Sequence, residues 1–204
     1  MAVFAPNPSL SADSVTVSSQ GRQFIEKAAK SGLKEVRLAR LATERSTNAD
    51  VRNLANTILR DHMQVNSKLA VLANGKGINM PMDTATASMR MNDETSSGGA
   101  NSRSAGTAAS SGSATQSTSS SMSAKAEKDV QEAVEKLSRK SGADFDEAFV
   151  SMMIQDHESA ISLFDKESKQ TADPDVASFA RDVLPGLRAH LQMARDAKGN
   201  LNKG

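Results

Sequence analysis

His62, His157 and His190 are the only histidines in this 204-residue chain, and each falls near the middle of a separate helical run, on its apolar side. Glu35 lies in a fourth such run, flanked at helical spacing by Ala28, Leu38, Ala39 and Ala42. Counted outward from the turn near Thr47, Glu35 stands within about a turn of the height of His62. One acid and three imidazoles, one from each helix, are therefore expected to converge. Imidazole and carboxylate suit one divalent transition metal (zinc, iron, manganese or copper), and bundles commonly build such sites from facing helices. On this reading His62, His157, His190 and Glu35 are the metal ligands, and Asp61, Asp156 and Glu158 are the acids behind them. The plainer reading is structural: a buried histidine is often satisfied by a neighbouring carboxylate, and Asp61, Asp156, Glu158 and Glu35 are all available. Both stay open on the residues alone.

Other chemistries fare worse. Dinuclear carboxylate sites in bundles use Glu-x-x-His from two helices, whereas the residues three before the histidines here are Leu59, Ile154 and Leu187. Tyrosine is absent, so an electron relay of that kind is missing too. With no cysteine there are no disulfides, thiolate sites or thiol nucleophiles. Met80, Met82, Met89 and Met91 offer thioethers suited to copper(I), but they follow no defining pattern and read as ordinary linker composition.

The elements that must position the histidines follow from apolar spacing. Phe24, Ile25, Ala28, Ala29, Leu33, Val36, Leu38, Leu41 and Ala42 define a first helix. Asn48 is the expected N-cap of a second, which runs through Val51, Leu54, Ile58, His62, Val65 and Leu69 until "NGKG" at 74–77 stops it. Asp144 with Glu147 is the expected capping box of a third helix through Phe145, Phe149, Met153, His157, Ala160 and Phe164. Asp173 and Pro174 are an N-cap and first-turn proline for a fourth, through Val176, Phe179, Val183, Leu187 and His190, which Pro185 is expected to kink. "NADVRNLAN" opens the second helix much as "DPDVASFAR" opens the fourth, so two similar antiparallel hairpins imply an all-α four-helix bundle.

Between the hairpins, residues 95–124 hold a single charged residue, Arg103, and nothing more apolar than alanine except Met122. Such a segment buries too little surface to offset its ordering entropy, so 77–124 is expected to be a disordered Met/Ser-rich insert. The organisation expected is a flexible segment over 1–21, a first hairpin over 22–76, the insert, a connecting helix over 125–140, a second hairpin over 141–198 and a tail over 199–204. Mixed charge on the connecting helix, with Val130, Ala133, Val134 and Leu137 to one side, favours packing over the bundle end rather than on a membrane.

The stretches "SGLKEVRLARLATERSTNADVRNLANTILRDH", "LSRKSGADFDEAFVSMMIQDHESAISLFDKES" and "DPDVASFARDVLPGLRAHLQMA" resemble a bacterial domain-of-unknown-function family of ferritin-like bundles often labelled "putative outer membrane protein". The paired Asp-His dipeptides, "SGADFD" and "LPGLRAHL" carry the likeness, which spans most of 22–198 outside the insert. It implies a ferritin-like fold and a periplasmic or secreted location, and no established reaction. The opening "MAVFAPNPSLSADS" lacks the basic and apolar regions of a signal peptide, which keeps a cytoplasmic location as the alternative.

A formal net charge of +1 with interleaved acids and bases supplies no basic face for phosphates, which argues against a nucleic-acid partner. No window is long and apolar enough to span a bilayer. The expectation is a non-enzymatic envelope or stress-associated bundle that binds one transition metal ion. Its rivals are a ferritin-type oxidoreductase and a helical interaction module, and a protein partner or homo-oligomeric state is not readable from the chain.

Overall fold

The computed structural model of the chain describes residues 17–78, 80 and 116–203, and for 116–123 the backbone alone. Among these residues there are five helices and no strand: α1 (Ser19–Arg45), α2 (Ala49–Gly75), α3 (Gln116–Ser138), α4 (Gly142–Gln170) and α5 (Pro174–Leu201). Among the described residues no helix is long and apolar enough to cross a membrane.

Local chemistry sets most of the ends. The Asn48 side chain accepts from the backbone N–H groups of Asp50 and Val51, and Asp173 does the same for Asp175 and Val176 ahead of Pro174. Helix α2 stops in a Schellman turn: Gly77 takes φ 66°, its N–H donates to the carbonyl of Asn74, and the Ile78 N–H donates to that of Ala73. Ile78 then plugs the core end and is buried. The capping box expected at Asp144 does not form, because α4 begins three residues earlier than that cap implies. Its N-cap is Ser141, without a side-chain bond, and Asp144 serves in the first turn, where a negative charge suits the helix dipole. Helix α5 runs through Pro185, which leaves the Arg181 carbonyl without its usual i+4 donor.

Helices α1, α2, α5 and α4 pack in that order around a ring, each antiparallel to its neighbours. Because α2 ends where α4 also ends, the long connection has to return along the bundle, and α3 is its return stroke. Helix α3 lies along the flank of α1 instead of over the bundle end, with Val130 and Leu137 buried and Lys30–Asp129 and Arg37–Glu127 ion pairs beside them. It also starts at Gln116, ahead of the expected 125: no glycine or proline interrupts the chain between Gly112 and Gly142, so an established helix extends at little cost. The remainder of the 77–124 insert, expected to be disordered, lies outside the described residues apart from Gly77, Ile78 and Met80; of the segment 1–21 expected to be flexible, 1–16 also lie outside them and 19–21 open α1. Met80 packs on the core, while Met82, Met89 and Met91 fall outside the described residues.

The apolar interior is split in two. One cluster gathers Phe24, Leu69, Phe164, Val176, Phe179 and Leu187 near the α4–α5 turn. The other gathers Leu38, Leu54, Ile58, Phe149, Met153 and Ala194 near the α1–α2 turn. Phe149 and Phe179 therefore do not share one core, as their common hairpin suggests, but stand on opposite sides of a central polar layer. Each is buried, so truncation to alanine is expected to cost about 3 to 5 kcal/mol. With no shared neighbours, the two losses in the double variant should sum to within about 0.5 kcal/mol in urea unfolding. A clearly sub-additive result would mean that the clusters are one.

Candidate metal centre

The polar layer consists of Glu35, His62, His157 and His190, all at most 5% exposed. Each comes from a different helix, and the apolar residues one turn above and below belong to the two separate clusters. The helical period has thus brought the four sequence-identified side chains to one height.

Three imidazole nitrogens face one another. His190 Nδ1 lies 3.3 Å from His62 Nε2 and 3.3 Å from His157 Nε2, and the three ligating nitrogens all fall within 4.8 Å. The ring centroids are 5.3 to 5.4 Å apart. Each opposite nitrogen meets an acceptor. His62 Nδ1 lies 2.8 Å from Glu35 Oε2, His190 Nε2 donates to Asp61 Oδ2 at 3.0 Å, and His157 Nδ1 donates to the Met153 carbonyl one turn back at 2.8 Å. A carbonyl or an ionised carboxylate can only accept, so each outer nitrogen carries the proton. The three inner nitrogens are then lone pairs aimed at one point.

Glu35 occupies a different role from the ligand role the sequence suggested. Its carboxylate lies on the far side of His62, with Oε1 accepting from Ser31 Oγ at 3.0 Å. The His62 contact is close but off the straight N–H line, which leaves Oε2 without a well-aimed hydrogen bond. Of the three acids behind the ligands, only Asp61 touches a histidine. Asp156 pairs with Lys34 at 2.6 Å, and Glu158 pairs with Arg195 in an exposed position.

The titration of these groups follows from their neighbours. Burial alone would raise the Glu35 carboxyl, but His62, His157 and Ser31 outweigh it and hold it at about 2. Burial would lower His62, but Glu35 and Asp61 raise it above its ordinary value. Burial lowers His157 and His190, against the acids that face them. Asp61 stays below its ordinary value because Arg60 and His190 overcome its desolvation, whereas for Asp156 desolvation wins over Lys34 and the carboxyl is raised. Glu35 and Asp61 thus favour the protonated form of His62, while burial favours the neutral forms of His157 and His190.

A cavity of about 60 Å³ adjoins the layer on the Phe164 side, lined by Ser31, Gly32, Glu35, Asn66, Gly186 and His190 among others. Sequence reasoning missed this flank. The available signal was two glycines inside otherwise regular helices, at 32 and 186.

Comparison with known proteins now locates the chain. The model of a family described as "Domain of unknown function (DUF4142)" matches residues 6–101 and 98–197. The chain belongs to that family. Among solved structures, a DUF305 fragment from Deinococcus radiodurans is similar in fold, with a TM-score of 0.58 over 92% of this chain and 99% of that one. At 19% identity the likeness is one of fold alone. No curated protein matches.

Replacing Glu35 with glutamine tests the electrostatic account. Without the carboxylate, burial dominates, so the His62 pKa followed by NMR in metal-free protein should drop from above to below about 6.5. The stability that Glu35 contributes is complete above its unfolded value of 4.5 and is lost as pH falls toward about 2. Glu35→Gln should flatten that stretch of the acid-unfolding curve, and an unchanged His62 titration would refute the pairing.

Proposed function

We propose that this protein binds a single divalent transition metal ion through His62 Nε2, His157 Nε2 and His190 Nδ1, and that it is a metal-binding bundle rather than an enzyme. The observation that carries the reading is the orientation of the three rings: three lone pairs converge, and each ring is held from behind by an acceptor. Metal-bound histidines are characteristically oriented in this way. The spacing fits as well. Two nitrogens bound at 2.0–2.1 Å with a tetrahedral angle lie about 3.3 Å apart, the separation of two of the three pairs here.

The donor set narrows the choice of ion. Three neutral imidazoles without an inward carboxylate favour zinc or copper(II) over manganese, and the charge of Glu35 and Asp61 behind them offsets that of the ion. With Glu35 turned outward and no Glu-x-x-His pair, there is material for one ion rather than two. The family resemblance supports a periplasmic or secreted setting, where such a protein would bind or buffer the ion.

A second reading has its own support: the 3.3 Å contacts also suit a shared proton, making the layer a purely structural network that fixes helix register. Metal and proton compete for the same lone pairs, so the two readings separate by titration. Zinc or copper(II) at about 100 times its Kd, near neutral pH, should stabilise the metal-free protein by about 2.7 kcal/mol. That corresponds to a gain of about 5 to 10 °C in the thermal midpoint for a chain of this size. The affinity should fall as pH drops through the histidine range, because protonation removes the ligands. His157→Gln should abolish the gain with helical content intact, and Glu35→Gln should weaken binding about 10- to 100-fold. Identical melting curves with and without several divalent ions would leave the structural network standing alone.

A further inference from the structure

Resting on the metal reading, we infer that the cavity between Gly32 and Gly186 is the access port of the ion, admitting an exchangeable water-sized ligand to an open coordination position. Three protein nitrogens leave a tetrahedral ion one position short, and closed structural sites use four protein ligands. The position left over has somewhere to point. The cavity is lined by His62 and His190 but not by His157, so the set is uncovered on the side of those two rings.

The walls on that side are kept open by what is absent. Gly32 is buried, and a Cβ there would stand 2.0 Å from Asn66 Oδ1, so the missing side chain makes room for the Asn66 amide. Asn66 sits one turn beyond His62 on α2 and lines the cavity, and its side-chain amide has no hydrogen-bond partner among the described residues. With Ser31 it offers polar partners to a small molecule inside. Gly186 is at the mouth: it is solvent-exposed, lines the cavity, and a Cβ built on it meets nothing within 4 Å. Pro185 before it already interrupts the helix hydrogen bonding at that point.

Size and charge identify the occupant. A volume of about 60 Å³ holds roughly two to four water molecules and excludes metabolites of ordinary size. Glu35 and Asp61 are both among its lining residues, and two acidic side chains at the wall disfavour an anion. The ligand class is therefore a neutral molecule of one or two heavy atoms, and water is the first of these.

Copper(II) provides the probe, because a bound water that exchanges with solvent raises the relaxation rate of bulk water protons. The protein is loaded with one equivalent and its water-proton relaxivity compared with that of Gly186→Ala and Gly186→Leu, with bound copper measured in each. Wild type and Gly186→Ala are expected to show at least twofold higher relaxivity than Gly186→Leu, with equal copper content. Asn66→Phe, which fills the cavity from the opposite wall, should match Gly186→Leu and serves if the latter folds poorly. Copper bound normally, with the same relaxivity in wild type and both plugged variants, would overturn the port while leaving the metal site intact. Failure of wild type to bind copper or zinc at all would overturn both.

Discussion

The cost of placing ionisable side chains at the centre of the bundle shapes the rest of this structure. A carboxylate and three imidazoles stand where the helical repeat would otherwise supply leucine or alanine, and an unpaired buried charge costs several kcal/mol. The structure meets that cost by pairing every outer nitrogen, so the layer is tolerable only if four helices hold one rotation and one height. The N-caps at Asn48 and Asp173 and the Schellman turn at Gly77 set those heights from the ends. The two apolar clusters hold the rotations from above and below. A slip of one residue in any helix would turn its polar group about 100° away from the others and leave the partners unpaired.

Lys76 adds a tie of this kind. It caps the end of α2, yet its ammonium reaches Asp173 at 2.8 Å and Asp175 at 2.7 Å, at the start of α5. The two helices that carry His62 and His190 are thereby tied at the end where one stops and the other starts. Asp173 serves both helices, as N-cap of α5 and as ion-pair partner of α2. Its side chain is only 4% exposed, so the tie is screened less than the ion pairs along α3.

Helix identity, the paired hairpins and the height of the histidines were legible in the sequence, because all three follow from apolar periodicity and caps that act locally. Which nitrogen of each ring turns inward was not. That depends on side-chain torsions and on acceptors such as the Met153 carbonyl, which every residue possesses and no pattern announces. Glu35 illustrates the same limit: height placed it beside His62, but whether it faces the other imidazoles or stands behind the ring is a matter of a few ångströms. Asp144 was misread for a different reason. Asp-x-x-Glu is a capping signal wherever it occurs, but Gly142 with φ 55° lets the chain turn into the helix three residues sooner. The split of the core between Phe149 and Phe179 follows only once His157 and His190 are seen to pack between them.

On the proposed metal reading, competition between proton and metal for one set of lone pairs would account for three histidines where one neutralised acid would suffice. A Glu35–His62 pair alone would satisfy itself, as buried acids and bases commonly do. Adding His157 and His190, whose neutral forms burial favours, leaves two further acceptors with no donor between them. A proton on His62 Nε2 would serve His190 Nδ1, 3.3 Å away. A divalent ion at the same point reaches all three at once, and its second positive charge answers Asp61 as well as Glu35. Neutral rings therefore leave facing lone pairs without a donor between them, and that is the deficit a bound ion would remove.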